Sequence, residues 1–335
     1  MTNRRLLPRC CPDRQAAAIL AVVAVVALAA PARAGTIERL RERAERGDAR
    51  AQNDLGLAYY RGEGVPQSYE TALFWYRKAA AQGLPEAQYN LGVMYDEGQG
   101  VVEDDAEAAR WYRKAAEQGL AAAQNNLAVM YEEGTGVERD ERLAAWWYRQ
   151  AAERGVAIAQ KNLGVMYEEG RGVERDPAEA VRWYRKAAEQ GLADAAYRLA
   201  LAYQTGAGVD ADMQEAVRWY RKAAEQGHVK AQSMLAVIYD LGKGVDPDPL
   251  EAVRWYRKAA EQGDAAAQYV LGMKYLRGEG VVKDDVRAFL WLSLAASQGV
   301  EQAAEFRDEA AAHMTPEQIS EALGLATGAP DSSRR

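Results

Sequence analysis

The chain has 335 residues and carries 42 basic against 49 acidic side chains, for a formal net charge of −7. An acidic chain is repelled by phosphate backbones, so the composition disfavours nucleic-acid binding. Only two cysteines and two histidines are present, and the cysteines are the adjacent Cys10 and Cys11, so the sequence excludes a zinc site and a disulfide-stabilised fold.

The N-terminal 34 residues have the organisation of a secretory signal peptide. A basic start with Arg4 and Arg5 is followed by the apolar run Ala16–Ala30 and by Ala32-Arg33-Ala34. This apolar run is too short for a transmembrane helix, which needs about 20 residues, so we expect cleavage and a mature chain from Gly35. The pattern predicts a bacterial protein that is periplasmic or secreted, without a stable membrane anchor after cleavage. The favoured route is Sec, and the paired arginines keep twin-arginine (Tat) export as an alternative.

The rest of the chain is a repeat array. Glycines recur every 36 residues without a slip, at Gly47, Gly83, Gly119, Gly155, Gly191, Gly227, Gly263 and Gly299. Residues 47–298 therefore hold seven copies of one unit. Residues 35–46 predict an N-terminal capping helix, 299–327 predict C-terminal capping helices, and 328–335 predict a disordered tail.

The spacing of apolar residues predicts two helices in each unit. In the second unit Ala87, Leu91 and Tyr95 recur at i, i+4 and i+8, which places them on one face of a first helix. The small Gly92 allows a neighbouring helix to approach closely. Gly98 supplies the left-handed residue that ends the helix.

The second helix of the unit has a strong start signal. In the fourth unit Asp176-Pro177-Ala178-Glu179 supplies an N-cap, a proline at N1 and a glutamate at N3. In the second unit Ala108, Trp111 and Tyr112 form an apolar face, so the in-phase tryptophans are predicted to be core residues. Neither helix can bury its face alone. The sequence therefore predicts an all-α solenoid of seven 36-residue helix-turn-helix repeats with short capping helices at both ends.

Four motifs recur in register from Gly47 to Gln298: A-x-x-x-L-G-x-x-Y, G-x-G-V, D-x-x-x-A and W-Y-R-K-A-A-E-Q-G. In these motifs the chain resembles the Sel1-like repeat family, which is related to tetratricopeptide arrays. The resemblance implies a right-handed α-solenoid that serves as an adaptor for other proteins, often in bacterial signalling or envelope complexes. A cysteine-rich secreted subgroup of the family is associated with penicillin binding or weak β-lactamase activity, but the predicted mature chain has no cysteine.

Catalytic signatures are missing from the sequence. It contains neither Ser-x-x-Lys nor Gly-x-Ser-x-Gly, and its G-x-G-V loops lack the lysine of a phosphate-binding loop. Paired carboxylates recur in phase, whereas catalytic groups normally occur once, in a pocket that shifts their pKa. We therefore predict no enzymatic activity, no cofactor and no metal.

Positions that vary between similar repeats are candidates for partner specificity. A rotation of about 100° per residue places one such position on the first helix opposite the core, where arrays of this kind line a concave groove. We call these residues the variable row: Asn53, Tyr89, Asn125, Lys161, Tyr197, Ser233 and Tyr269.

The C-terminal ends of three first helices are acidic. This acidic row consists of Asp96, Glu97, Glu132, Glu133, Glu168 and Glu169. Negative charge at that end opposes the helix dipole and costs about 0.3–1 kcal/mol per helix. Two interpretations stay open: an acidic groove for a basic peptide or protein loop, or solvated helix ends offset by nearby arginine and lysine.

Trp146 precedes the in-phase Trp147, and an aromatic residue outside the repeat phase is expected to be exposed. Together with Tyr89, Tyr197 and Tyr269 it is a candidate for stacking on a glycan. The favoured function is an exported, non-enzymatic scaffold or regulatory adaptor of the bacterial envelope that binds another protein, such as a basic segment of a sensor or enzyme. The alternatives are a cell-wall-active or β-lactam-interacting enzyme and a peptidoglycan- or glycan-binding structural protein.

Overall fold

The structure, a computed structural model, describes residues 34–326. Within this range all regular secondary structure is helical, with seventeen α-helices and no strand. The predicted all-α fold is confirmed. Almost all of the predicted signal peptide and the whole predicted tail at 328–335 lie outside the described residues, so these two predictions stay predictions.

Seven helix pairs follow one another at 36-residue intervals, and we number them as repeats 1 to 7. The paired helices are α2 Ala49–Arg61, α3 Tyr69–Ala81, α4 Pro85–Asp96, α5 Asp105–Glu117, α6 Ala121–Glu133, α7 Glu141–Glu153, α8 Ala157–Glu169, α9 Pro177–Glu189, α10 Ala193–Thr205, α11 Met213–Glu225, α12 Val229–Leu241, α13 Pro249–Glu261, α14 Ala265–Arg277 and α15 Asp285–Ser297. Before them lies α1 Ala34–Glu45, and after them lie α16 Glu301–Ala311 and α17 Pro316–Ala326.

The described residues form two compact units. One contains residues 34–166 and 170–174, and the other contains residues 167–169 and 175–326. In both, first helices pack against the second helix of their own repeat and against that of the preceding repeat, as α4 does with α5 and α3 and as α12 does with α13 and α11. Because each helix buries its apolar face only through its neighbours, stability arises from successive interfaces.

Left-handed glycines shape the turn between the two helices of a repeat. In repeat 3, Gly134 ends α6 with φ +74° and its amide donates to the carbonyl of Met130. Gly136 follows with φ +67°, and a Cβ at this residue would collide with the backbone of Asp105 at the start of α5. Glycine is therefore required at this position both for its backbone angle and for the close approach of the turn to the preceding repeat.

The predicted start signal of the second helix is confirmed, with an N-cap, a proline at N1 and a glutamate at N3 in order. The Asp176 carboxylate accepts hydrogen bonds from the amides of Ala178 and Glu179, and Pro177 occupies N1. Glu179 does not bond back to the Asp176 amide, which donates instead to the carbonyl of Tyr167. The Glu179 carboxylate pairs with Arg182 one turn further on.

Small residues allow the two helices of a repeat to approach closely, as predicted. A Cβ on Gly92 would lie 2.5 Å from the ring of Tyr112, which is 1% exposed. Five of the seven in-phase tryptophans are buried, at 7–8% exposure, while Trp111 and Trp291 are half-buried. The core interpretation of the tryptophans is therefore confirmed for five residues.

Buried glutamines join successive repeats. Gln88 of α4 donates to the carbonyl of Ala80 in α3, and Gln124 of α6 donates to that of Ala116 in α5, at 3.5 and 3.0 Å. The glutamine that follows α5, Gln118, donates to Gln88 Oε1 at 2.8 Å. These bonds satisfy polar groups at the ends of second helices, which would otherwise be costly to bury.

Candidate partner-binding surfaces

The variable row lies closer to the core than a solvent-facing row would. Tyr89 and Asn125 are only 4% and 3% exposed, and the other members are half-buried. The expectation that Tyr89 is an exposed aromatic is therefore wrong. Its ring packs against that of Tyr112 with centroids 5.6 Å apart, because the first helix turns this position toward the second helix of the same repeat.

Several residues of the variable row contact the next repeat. Asn53 accepts a hydrogen bond of 2.9 Å from Asn90. Tyr197 of repeat 5 stacks on His228, with ring centroids 4.6 Å apart and 22° between the rings. His228 Nδ1 in turn caps α12. Variation in this row therefore changes the contacts between neighbouring first helices as well as the surface.

The acidic row separates into two sets with different surroundings. The first set, Asp96, Glu132 and Glu168, accepts hydrogen bonds from buried tyrosines of the second helix. Tyr112 donates to Asp96 at 3.2 Å, Tyr148 to Glu132 at 2.6 Å and Tyr184 to Glu168 at 2.5 Å.

Burial is the main reason that the pKa values of Tyr112 and Tyr148 lie well above the ordinary tyrosine value. Both hydroxyl groups are therefore protonated and act as donors throughout the physiological pH range. The first set of carboxylates is thus part of the internal hydrogen bonding of repeats 2 to 4.

Ion pairs add to the internal role of this first set. Glu132 lies 2.7 Å from Arg171 in one unit, and Glu168 lies 3.3 Å from Arg198 in the other. Sequence reasoning missed these roles. A pattern in the sequence could have revealed them. The residue that stands 16 positions before the tyrosine of the second helix is polar in repeats 2 to 6. In repeat 7 this residue and the tyrosine are both replaced by leucine, at Leu276 and Leu292.

We expect Glu132→Ala to lower the free energy of unfolding by about 1–3 kcal/mol, because it leaves the fully buried Tyr148 hydroxyl without its acceptor. Glu132→Gln should restore most of this loss, since Gln204 already accepts from Tyr220 at 2.6 Å in repeat 5. Urea unfolding followed by circular dichroism, fitted with a nearest-neighbour repeat model, measures both. The control is Glu133→Ala, for which we expect a change within about 0.5 kcal/mol. Equal losses for Glu132→Ala and Glu133→Ala would contradict the internal role.

The second set of the acidic row, Glu97, Glu133 and Glu169, is exposed at the ends of the first helices. Glu97 Oε2 accepts a weak hydrogen bond of 3.4 Å from the Tyr60 hydroxyl. Desolvation raises the pKa of Glu97 above its ordinary value, and the adjacent Asp96 carboxylate raises it further, while the bond from Tyr60 opposes both effects. No ion pair to Glu97 forms among residues 34–326. The Glu97 carboxylate therefore has no lysine or arginine partner among these residues.

Trp146 is exposed, as predicted, with 49% of its surface accessible. Its ring meets that of Trp147 edge to face, with centroids 4.4 Å apart. Phe74 occupies the equivalent position in repeat 1 and is equally exposed. Alignment of the repeats with one another is the signal that identifies both residues.

The described part of the chain does not bring together the side chains of a metal centre. Residues 34–326 contain no group of three or more His, Cys, Asp or Glu side chains placed to hold a metal ion. Over the same residues, no helix is both long and apolar enough to cross a membrane. An open cavity lies beside α7, lined by Arg139, Asp140, Glu141, Arg142 and Gly172.

Seven consecutive matches to the Sel1 repeat family model cover 49–84, 85–120, 121–156, 157–192, 193–228, 229–264 and 265–300. A solved Sel1 repeat protein from Oxalobacter formigenes is 36% identical, with a TM-score of 0.69, over 89% of this chain and 86% of that one. The structure of c5321, a protective antigen of uropathogenic Escherichia coli strains with an SLR fold, is 33% identical, with a TM-score of 0.54, over 88% and 86%.

No curated protein matches the chain. Proteins built from Sel1 repeats generally act as scaffolds for other proteins and are typically not enzymes. The predicted resemblance and the predicted α-solenoid of seven repeats are both confirmed, since the repeat matches and the helix pairs coincide along the chain. The chain is a member of the Sel1 repeat family.

Proposed function

We propose that this protein is an exported, non-enzymatic scaffold of the bacterial envelope that binds a basic segment of another protein along its first helices. The general role of Sel1 repeats in protein interaction supports the binding function. The export proposal rests on the basic start and apolar run before Gly35. Sequencing the N-terminus of the protein recovered from the periplasm tests it, and an uncleaved N-terminus would contradict it.

The observation that carries the basic-segment proposal is the environment of Glu97 at the end of α4 in repeat 2. Its carboxylate has a raised pKa and lies near the Asp96 carboxylate, without a lysine or arginine partner among the described residues. A cation from a bound partner would remove this electrostatic cost, since opposite charges within a few ångströms favour the ionised carboxylate. Glu133 supplies a second exposed carboxylate at the equivalent position of the next repeat.

We expect charge reversal of the exposed carboxylates, Glu97→Lys with Glu133→Lys, to weaken binding of basic peptides at least tenfold. The probes are fluorescein-labelled 15-residue peptides with spaced lysines and arginines, screened by fluorescence anisotropy. The matched control is Glu117→Lys, an exposed glutamate at the end of the second helix α5. Equal affinity of the double variant and the control would overturn the proposal, as would a library without any binder.

Binding of these peptides should also depend on pH. Since Glu97 must be ionised to attract a cation, affinity should fall as the pH decreases through its raised pKa. Glu97→Gln should weaken binding at neutral pH and flatten this part of the pH profile. An unchanged profile in Glu97→Gln would show that another group controls the titration.

A further inference from the structure

The solvent-facing side of α7 differs from that of the other second helices. In α5, α9, α11 and α13 the outer face carries a glutamate and an arginine three residues apart that form an ion pair. In repeat 2 this pair is Glu107 and Arg110, 2.9 Å apart. In α7 the same two positions are Leu143 and Trp146, which are 40% and 49% exposed. An ion pair of the repeat is thus replaced by two exposed apolar side chains.

The tryptophans of α7 also lack the lysine that covers the core tryptophan in other repeats. Lys114, Lys186, Lys222 and Lys258 place their ammonium groups 3.9–4.2 Å from the ring centroid of the in-phase tryptophan of the same helix. The equivalent residue of α7 is Gln150. Within residues 34–326, no lysine or arginine therefore lies over the edge-to-face pair of Trp146 and Trp147.

Repeat 1 shows that an exposed aromatic alone does not produce this surface. Phe74 is as exposed as Trp146, but Lys78 lies 4.4 Å from the centroid of its ring. The residue three positions before it is the hydroxyl-bearing Thr71, where α7 has Leu143. Only repeat 3 combines the leucine, the tryptophan and the loss of the lysine.

A guanidinium group flanks the apolar pair. Arg142 is exposed and forms no ion pair among the described residues, whereas its equivalents in repeats 2, 4 and 5 are Ala106, Ala178 and Gln214. It borders the open cavity beside α7, on which Arg139 also lies. Arg139 is paired with Glu141 at 2.5 Å, so Arg142 is the cation available to a ligand.

We infer that Arg142, Leu143 and Trp146, which we call the α7 patch, form a docking surface for an acidic amphipathic segment of a partner protein. Apolar side chains of the partner cover Leu143 and Trp146, and a partner carboxylate pairs with Arg142. Tryptophan and arginine are the residues that most often dominate binding energy at protein interfaces. Arg139 and Glu141 pair with each other, and the Asp140 carboxylate accepts backbone amides as the N-cap of α7. The Arg142 guanidinium is thus the unpaired cation beside the apolar centre, and it selects an acidic partner over a basic one. This surface lies on a second helix and is independent of the proposed first-helix site.

The test uses variants that convert repeat 3 to the pattern of its neighbours. Leu143→Glu with Trp146→Arg restores the ion pair found in four other repeats, so the double variant should fold normally. Arg142→Ala restores the alanine of repeats 2 and 4. The probes are fluorescein-labelled 18-residue amphipathic peptides with leucine and phenylalanine along one face, flanked by glutamate in one peptide and by lysine in the other.

We expect the glutamate peptide to bind at least tenfold more tightly than the lysine peptide. Binding should weaken at least tenfold in L143E/W146R and about threefold to tenfold in R142A, with unchanged circular dichroism spectra. Grafting the patch onto α9 with A178R, E179L, R182W and K186Q should restore binding to the L143E/W146R protein.

Equal binding of the two peptides, or full binding by L143E/W146R, would overturn the inference. Self-association of the unmodified protein that is lost in L143E/W146R, measured by light scattering, would assign the patch to a second copy of the chain and overturn it equally. The E97K/E133K protein should bind the glutamate peptide normally, which separates failure of this inference from failure of the proposed function.

Discussion

Gly172→Ala is expected to lower the free energy of unfolding by about 3–5 kcal/mol, which combines backbone strain with a steric collision. Gly172 has φ +65°, and a Cβ at this residue would overlap the backbone carbonyl of Glu141 at the start of α7. Backbone atoms of a helix cannot move aside as a flexible side chain can. The substitution must therefore displace the turn from the preceding repeat.

The matched control is Gly155→Ala in the turn between repeats 3 and 4. Gly155 has a similarly unfavourable φ of +89°, but a Cβ added to this residue would have no atom within 4 Å. We expect only the conformational cost of about 1–2 kcal/mol. Urea unfolding gives both values, and hydrogen exchange of the α7 amides shows whether the loss is local. Equal losses at the two glycines would show that the close approach to Glu141 contributes nothing.

The second large effect concerns a buried ion pair between repeats 6 and 7. Lys274 is 4% exposed and its ammonium group lies 2.6 Å from Asp240 Oδ1. Asp240→Leu is expected to destabilise the chain by about 3–5 kcal/mol, because it leaves a buried ammonium group without its partner. The same urea unfolding measurement applies.

Lys274→Met is the matched control for this pair, because repeats 2, 3 and 4 carry methionine at the same position, at Met94, Met130 and Met166. We expect a cost below about 1.5 kcal/mol, since Asp240 is partly exposed and can accept a hydrogen bond from Tyr256, as Asp96 does from Tyr112. The double variant should recover most of the loss caused by Asp240→Leu. A loss in Lys274→Met as large as in Asp240→Leu would contradict this account.

The fold can be predicted from the sequence because each local signal repeats in phase. The glycine period, the Asp176-Pro177 start signal and the core position of the tryptophans all depend on contacts within one turn of chain or on helix periodicity. Each is confirmed by the structure, with Trp111 and Trp291 less buried than the others. Such signals need no knowledge of how separate helices meet.

The candidate surfaces can be predicted only in part, because they depend on which side chains meet across helices. Asp96 and Glu97 are adjacent in sequence, yet Asp96 accepts a hydrogen bond from Tyr112 on the next helix while Glu97 is exposed. Rotation around a single helix gives the two side chains different directions but does not show which of them meets a donor on another helix. The exposure expected for Tyr89 is wrong for the same reason, since its contact with Tyr112 is also made between helices.

The hydrogen bond from the buried tyrosine to its acceptor has a consequence for how such a chain can change length. Donor and acceptor are 16 residues apart and lie within one 36-residue module, as with Tyr148 and Glu132. Duplication or deletion of a whole module by genetic recombination therefore transfers both groups together and leaves no buried hydroxyl without its acceptor. Recombination between the two helices would separate them. The module that can be inherited intact is thus the same one that holds both the buried tyrosine and its acceptor.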